Sequence, residues 1–203
     1  EDIDPVRFIS NHSSGKMGFE IARAFALGGA TVHLVAGPVA LADIPGVNRV
    51  NVRTAAEMFE AVSRLHEQAD FVIFSAAVAD YRPESVASQK IKKQDNEMFI
   101  ELEKTLDIAA KLGRVKRGNQ VHVGFALETD NEFQNARGKL ERKNFDLIVL
   151  NSLQDKGAGF RYDTNKITIF DQNGGERFFE LKSKEAVAED IKKAVLDYYQ
   201  SIQ

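Results

Sequence analysis

Apolar residues recur with the period of an α-helix in four segments of this chain. The first segment runs into Gly28 and Gly29, a pair typical of a helix C-terminus. The second begins after Thr54, and Glu57 three residues later completes the sequence pattern of a capping box. The four predicted helices span about 18–27, 54–65, 130–143 and 184–199.

Runs of β-branched and aromatic residues lie between these segments and predict strands at 31–36, 71–75, 121–126 and 146–150. The run 71–75 is apolar up to its last residue, which is typical of a parallel strand covered on both faces. Alternating strands and helices predict an α/β fold: a doubly wound, mostly parallel, Rossmann-like sheet with helices on both faces. Ligands of such sheets bind at the carboxyl ends of the strands, so functional loops are expected to follow strands.

Two insertions interrupt this alternation. The segment 98–102 has the composition of an extra strand, and 166–170 with 177–181 predicts an antiparallel hairpin extension. The opening segment 5–9 is either the first strand of the sheet or a lead into the first helix, with an earlier strand preceding Glu1. We favour the second interpretation, and we expect residues 1–203 to form a single domain.

Composition narrows the class of protein. With a net charge of −3, the protein as a whole does not attract the negatively charged backbone of nucleic acid, so no nucleic-acid partner is expected. The absence of cysteine excludes disulfides, thiolate nucleophiles and cysteine-ligated zinc. No apolar run is long enough for a membrane span, and the first residues lack the features of a signal peptide. A soluble, cytoplasmic protein without a membrane partner is expected.

The loop before the first helix, residues 10–18, is rich in small polar residues. Backbone N–H groups at a helix start favour an anion, and Ser13, Ser14 and Lys16 can add donors. The loop is not a P-loop, because Met17 stands where a serine or threonine would hold magnesium. The alternative is a serine-rich helix cap on a flexible loop.

Two further loops carry candidate chemistry. After the strand 71–75, small residues from Ala76 to Ala79 would let a flat ring approach the backbone, and Asp80 could contact a ribose or base. Asp80 could equally be a turn or cap residue. Lys90, Lys92 and Lys93 could form a cationic flap that closes on phosphates, or they could be solvated surface.

The predicted helix 130–143 carries Lys139 and Lys143 four residues apart, on one side of the helix. Leu140 and Phe133 are expected to face the core while the lysines reach a ligand. Ordinary ion pairs of the lysines, for instance with Glu141 or Asp146, are the alternative.

One motif is typical of another class of enzyme, but it does not lie in the helix that this class requires. Tyr162 and Lys166 have the Tyr-x-x-x-Lys spacing of short-chain dehydrogenases, in which one helix presents both groups. Here the residues between them are turn formers that lead into a predicted strand. Hydride transfer is therefore not favoured.

Together these motifs resemble the phosphopantothenate–cysteine ligases of coenzyme A biosynthesis. The resemblance covers most of the chain and keeps the order of the family's motifs. The matching pieces are 4–18, 76–82, 90–93, 124–126, Glu128–Thr129, Lys139, 142–144 and Asn151.

The resemblance implies a nucleotide-dependent ligation. The carboxylate of phosphopantothenate attacks the α-phosphate of CTP and releases pyrophosphate, and the amine of L-cysteine then opens the acyl-cytidylate to give phosphopantothenoylcysteine and CMP. Mg²⁺ is expected as the cofactor that accompanies CTP.

By position in the family motifs, Asn11 would stabilise the oxyanion during attack by cysteine, and Lys90 would stabilise charge at the α-phosphate during activation. The resemblance assigns the nucleotide to Ala76, Asp80, Lys90, Asp107, Phe125, Lys139 and Lys143. It assigns the acid substrate to Arg7, Asn11, Ser13, Ser14, Gly15 and Ala77. The metal ligands are left open.

The chain departs from the family pattern in two places. The Gly-Gly-Thr loop that usually follows a first strand is not found before Glu1, and Leu106 replaces the proline of the family's Lys-Asn-Pro-Asp-Ile segment. The resemblance also implies a homodimer that uses the predicted hairpin, and fusion to, or excision from, a phosphopantothenoylcysteine decarboxylase. The rival interpretations are an NAD(P)-dependent reductase and a non-catalytic nucleotide-binding module.

Overall fold

The computed structural model describes residues 1–92, 98–128, 130–152 and 162–203. The described helices are α1 (Lys16–Leu27), α2 (Ala55–His66), α3 (Ile108–Gly113), α4 (Glu132–Arg142) and α5 (Lys184–Ser201). The described strands are β1 (Val32–Ala36), β2 (Val47–Asn51), β3 (Phe71–Phe74), β4 (Tyr81–Pro83), β5 (Leu102–Lys104), β6 (Val121–Glu128), β7 (Leu147–Ser152), β8 (Thr164–Asp171) and β9 (Glu176–Ser183).

A five-stranded sheet in the order β3-β6-β7-β8-β9 forms the centre of the fold. β3, β6 and β7 pair in parallel, whereas β8 and β9 are antiparallel to their neighbours. β1 and β2 form a separate parallel pair, and β4 and β5 a short antiparallel pair. The predicted α/β fold with a parallel sheet and an antiparallel extension is thus confirmed.

The side chains of β7 alternate between two cores, because successive residues of a strand point to opposite faces. Leu147 and Val149 pack with residues of α1 and α5 on one face. Ile148 and Leu150 pack on the other face with Ala136 of α4 and with residues of neighbouring elements. Helices therefore cover both faces, as the sequence predicts.

The start of α2 is fixed by its own sequence. The side chain of Thr54 accepts a hydrogen bond from the backbone N–H of Glu57 at 3.2 Å. The carboxylate of Glu57 accepts in turn from the N–H of Arg53, at 2.7 Å, and not from Thr54 as a standard capping box requires. The predicted helix start is confirmed, but the backbone N–H that Glu57 binds belongs to the residue before the cap.

Several expectations about elements are wrong or incomplete. The sequence pattern does not predict β2, β4 or α3, and the extra strand expected at 98–102 is the three-residue β5, which begins at Leu102. The segment 5–9 is not a strand, since its described pairing is a single bridge between Asp2 and Phe8. β3 is an edge strand whose residues are half-buried, with Phe71 and Ile73 packed against one core and Phe74 against the other.

The predicted hairpin is formed by β8 and β9. Lys166 lies within β8 and not on a helix. This confirms the prediction that Tyr162 and Lys166 do not share a helix, as the dehydrogenase motif requires. None of the helices in the described ranges is both long and apolar enough to cross a bilayer.

Candidate functional site

Asn11 joins two of the predicted loops. Its side-chain amide donates hydrogen bonds to the backbone carbonyls of Ala77, at 2.9 Å, and Val78, at 3.2 Å. The loop before α1 therefore lies against the loop that follows β3. This contact lies beyond the carboxyl end of a parallel strand, where the fold class predicts a ligand site.

Glycines shape the start of α1. Gly15 is the N-cap residue with φ of 76°, a left-handed conformation that favours glycine. Gly18 lies so close to β3 that an added Cβ would approach the Oγ of Ser75 at 2.8 Å. The alternative of a serine cap is wrong, because the cap is Gly15 and no side-chain cap bond is made. Ser13 instead accepts from the N–H of Gly15 at 3.4 Å, and Ser14 lies between them.

Lys16, at the first position of α1, forms an ion pair with Asp163 at 2.5 Å. Hydrogen bonding from this ammonium group holds the pKa of Asp163 below its usual value. The predicted anion donor is therefore already paired with a carboxylate from the far end of the chain.

Thr105 fastens the loop after β3 to the segment before α3. Its N–H donates to the carbonyl of Asp80 at 2.9 Å, and its hydroxyl donates to the carbonyl of Ala79 at 2.5 Å. Ala76 and the carboxylate-bearing Asp80 remain exposed. Asp80 is thus an exposed acidic residue on a loop that is held at both ends.

The two lysines of α4 each contact a carboxylate. Lys139 pairs with Glu128, at the end of β6, at 2.6 Å. Lys143 pairs with Asp107 at 3.2 Å, and Asp107 also caps α3 by accepting from the N–H of Ala110. The suggested partners Glu141 and Asp146 are wrong: the described ion pair of Asp146 is with Lys116.

The hydrophobic face of α4 is only partly as expected. Leu140 is buried, at 7 % exposure, whereas Phe133 is 47 % exposed, so the expectation that both face the core is wrong for Phe133. The ring of Phe133 lies edge-on to that of Phe170, with 5.4 Å between centroids. Phe125 on β6 is half-buried against the core that α1 and α5 share.

Arg7 and the start of the flap meet at a buried carboxylate. Asp4 is fully buried and forms an ion pair with Arg7 at 2.8 Å. Burial alone raises the pKa of Asp4, but hydrogen bonds donated by the backbone of Val6, Arg7 and Ile91 outweigh it, so the pKa lies below its usual value. Asp4 lies within the matching motif 4–18, but no role for it is predicted from the sequence.

Lys90 and Lys92 are exposed, and the ammonium group of Lys90 makes no hydrogen bond or ion pair with other residues of the described ranges. Lys93 and Thr129, which belong to the matching motifs, lie outside the described residues.

The site residues form two groups of contacts. One group comprises Arg7, Asn11, Ala77 and the segment at Ile91, and the other comprises Glu128, Lys139, Lys143 and Asp107. Thr105 lies between them, because it bonds to the loop of the first group and stands two residues before Asp107. These are separate pairwise contacts, and only short stretches of chain connect one pair with the next.

Two pockets are formed by described residues, and the first of them includes Val39, which lies next to Gly15. One, of about 440 Å³, is lined by residues at the carboxyl ends of β1 and β2, and one, of about 340 Å³, lies between β9 and α5. None of the predicted site residues lines either pocket. Within the described ranges, no group of three or more histidine or acidic side chains could hold a metal ion by itself.

Comparison with known proteins decides the family. Residues 1–199 match the model of the DNA/pantothenate metabolism flavoprotein C-terminal domain. The chain belongs to this family. The family assignment drawn from the motifs, to the phosphopantothenate–cysteine ligases, is thereby confirmed.

Relatives within the family support the match over nearly the whole chain. A protein named cysteine/cysteine sulfinic acid decarboxylase, from an unknown prokaryote, is 53% identical over 97% of this chain and 55% of its own length. The coenzyme A biosynthesis bifunctional protein CoaBC of Haemophilus influenzae is 48% identical over 98% of this chain and 50% of its own. The chain thus spans about half the length of these relatives.

A solved structure of the family agrees with the fold. The crystal structure of the C-terminal domain of a CoaBC protein superposes with a TM-score of 0.84 at 39% identity, covering 99% of this chain and 91% of that chain. The Rossmann-like α/β architecture is therefore shared within the family.

Proposed function

We propose that this chain joins phosphopantothenate to L-cysteine in a CTP-dependent ligation that passes through an acyl-cytidylate. The observation that carries the proposal is the contact of the Asn11 amide with the carbonyls of Ala77 and Val78. It brings together two loops that match separate motifs of the ligase family, at the carboxyl end of β3. The name of the CoaBC relative supports a role in coenzyme A biosynthesis.

The first step activates an acid. A carboxylate oxygen of phosphopantothenate attacks the α-phosphorus of CTP, the bond from that phosphorus to the bridging oxygen breaks, and pyrophosphate leaves. Negative charge builds on the phosphate oxygens, and a cation placed there stabilises the transition state more than the ground state. Lys90 is exposed and without a partner in the described ranges, so it is available for this role.

The second step forms the amide. The amine of cysteine attacks the acyl carbon, the bond to CMP breaks with its electron pair on the phosphate, and the amine gives up a proton. Both N–H groups of Asn11 are directed at carbonyls. The proposed oxyanion role therefore requires Asn11 to exchange one of these bonds, of which the bond to Val78 is the longer, for the acyl oxygen.

Lys139, Lys143 and Asp80 are proposed to hold the nucleotide. Mg²⁺ would supply neutralising charge on the triphosphate, and this ion is usually held by one or two carboxylates together with phosphate oxygens. The exposed carboxylate of Asp80 fits this requirement, and no ready-made protein cage is needed.

The proposal is tested by a pyrophosphate release assay in which each component is omitted in turn. Release is expected only when CTP, phosphopantothenate and Mg²⁺ are all present, and phosphopantothenoylcysteine is expected only when cysteine is added as well. A module that merely binds nucleotides would release no pyrophosphate under any condition. Tight binding of NADPH without binding of CTP would instead favour the reductase.

The decarboxylase name of one relative belongs to a protein of which this chain spans 55%. The homodimer and the decarboxylase fusion implied by the family resemblance are also proposals. Sedimentation of the purified chain checks the first of them: a single species of one chain mass would contradict the dimer.

A further inference from the structure

The carboxylate of Asp4 is buried, and four hydrogen bonds are donated to it. Its Oδ1 accepts from the N–H groups of Val6 and Arg7, each at 2.8 Å. Its Oδ2 accepts from the guanidinium of Arg7 at 2.8 Å and from the N–H of Ile91 at 3.2 Å. Three of these donors are local, but Ile91 is 87 residues away in the sequence.

The backbone of Ile91 is held from both sides. Asp4 accepts from its N–H, and the guanidinium of Arg7 donates to its carbonyl at 3.2 Å. We call the Asp4 carboxylate and the Arg7 guanidinium, bound in this way to Ile91, the Ile91 clamp. Because the clamp bonds only to the backbone of Ile91, it fixes the path of the chain whatever the side chain at that position.

A second bond lies four residues earlier, where the N–H of Ala87 donates to the carbonyl of Ile3 at 3.0 Å. Residues 87–91 are therefore fastened at two points to the segment 3–7. That segment leads directly to Asn11, whose amide is bonded to the loop after β3. One short stretch of chain thus contacts both the base of the lysine flap and the loop of Ala77.

Lys90 lies between the two fastening points and next to Ile91. Its ammonium group has no partner among the residues that the structure describes. The side chain is long and flexible, so the position of its ammonium depends on where its backbone is held.

We propose that Asp4 is a positioning residue for the lysine flap: through the Ile91 clamp it sets where Lys90 projects relative to Asn11. The inference rests on the proposed function, and it names a part of that site which the sequence motifs leave unassigned. Asp4 does not touch the reacting groups in this role; it acts through Ile91 and Lys90.

The first test measures the clamp without activity, by amide hydrogen exchange of the intact protein. Asp4→Asn puts an amide where the carboxylate receives two donors, and loss of such charge-assisted bonds is expected to speed exchange at residues 86–92 roughly ten- to a hundredfold. Exchange in β6 and β7 should not change. Asp2→Asn is the matched control, because Asp2 pairs with Arg53 and not with the flap.

A second variant controls for the case in which Asp4→Asn misfolds the whole protein. Ile91→Pro removes the N–H that Asp4 accepts from and leaves the other three bonds of Asp4 in place. It is expected to speed exchange at Ala87 and its neighbours in the same way. Unchanged exchange at residues 86–92 in both variants would overturn the proposal.

The second test asks whether Asp4 acts through Lys90. Pyrophosphate release is measured for Asp4→Asn, Lys90→Gln and the double variant. Asp4→Asn is expected to slow release about tenfold alone and to add almost nothing once Lys90 is replaced. Fully additive effects would overturn the positioning role. If the unaltered protein releases no pyrophosphate, the ligase proposal fails, whereas the exchange experiment still decides whether Asp4 holds the flap.

Discussion

At the scale of single residues, the side chain of Asn11 makes a structural contact with the same amide that the ligase proposal assigns to chemistry. It holds the loop after β3 through two donated bonds, and the ligase proposal needs the same donors for the acyl oxygen. An amide can exchange a backbone carbonyl for the neutral acyl oxygen at small net cost, and the new bond strengthens as that oxygen gains negative charge.

Asn11→Asp is expected to separate the two half-reactions. A carboxylate accepts but does not donate, so it repels the developing oxyanion, and the cysteine step should slow by about 10²–10³-fold. Acyl-cytidylate should then accumulate, which mass spectrometry of quenched reactions detects. CTP affinity measured by calorimetry is the control for an intact site. Normal turnover without accumulated intermediate would contradict the oxyanion role.

Lys90→Gln is expected to affect the other half-reaction. Removing one cation from the transition state should slow pyrophosphate release by about 2–4 kcal/mol of barrier. Lys92→Gln is the matched control, since Lys92 is an exposed lysine two positions away, and it should lower the rate far less. Equal effects of the two variants would mean that the flap acts only through its overall charge.

At the scale of elements, the close packing of strand β6 depends on one glycine. Gly124 lies opposite Phe74 of β3 and beside the buried ring of Phe145. A Cβ at this position would overlap that ring, so the close approach requires glycine. The packing of Phe145 under β6 therefore helps to hold the strand whose carboxyl end carries Glu128.

Gly124→Ala is expected to destabilise the fold by about 1–3 kcal/mol through overpacking. Urea denaturation gives the free energy of unfolding. Gly118→Ala is the control, because an added Cβ there meets nothing within 4 Å. Adding Phe145→Leu to Gly124→Ala should recover part of the loss, and identical midpoints for the two alanine variants would contradict the steric argument.

The elements with strong periodicity could be predicted from the sequence, and those without it could not. β2 has two valines among polar residues and is mostly exposed, so its pattern differs little from that of a loop. α3 has only six residues and is stabilised by its Asp107 cap and by packing, which a period of 3.6 cannot reveal in so short a segment.

The candidate site, too, could be predicted only in part from the sequence. Motif order predicts that Asn11 and Asp80 lie on loops next to the carboxyl end of β3, and the structure has Asn11 bonded to the loop that carries Asp80, because the fold class fixes where strands end. The partners of these residues could not be predicted. Asp4, Thr105 and Glu128 each bond to a residue at least 11 positions away, and a local sequence pattern does not indicate such contacts.

A buried histidine pair links pH to stability at the scale of the whole molecule. The Nε2 atoms of His66 on α2 and His122 on β6 lie 3.1 Å apart, and Gln120 also contacts His122. Burial, then the neighbouring His66 and Lys116, lower the pKa of His122 to about 3. Burial also lowers the pKa of His66. Both rings are therefore neutral in the folded protein at neutral pH.

The free energy of unfolding is expected to fall as the pH drops below about 6.5, because the unfolded chain then binds protons that the folded chain excludes. One such histidine contributes at most about 1.4 kcal/mol per pH unit. Urea denaturation at pH 7.5 and pH 5 measures the effect. His122→Asn should reduce this pH dependence, whereas His33→Asn, on the exposed side of β1, should not. A steep dependence that survives His122→Asn would contradict the assignment.

The ion pairs of Lys139 and Lys143 have a consequence for selectivity. Each ammonium already has an internal counter-anion, Glu128 or Asp107, so an arriving anion competes with a carboxylate for it. A monovalent anion merely substitutes one negative charge for another and gains little. A polyphosphate brings several charges on one molecule and can compete for both ammonium groups at once. If the proposed nucleotide site is correct, the internal pairing favours polyvalent anions, and simple anions such as chloride are expected to be poor competitors for this surface.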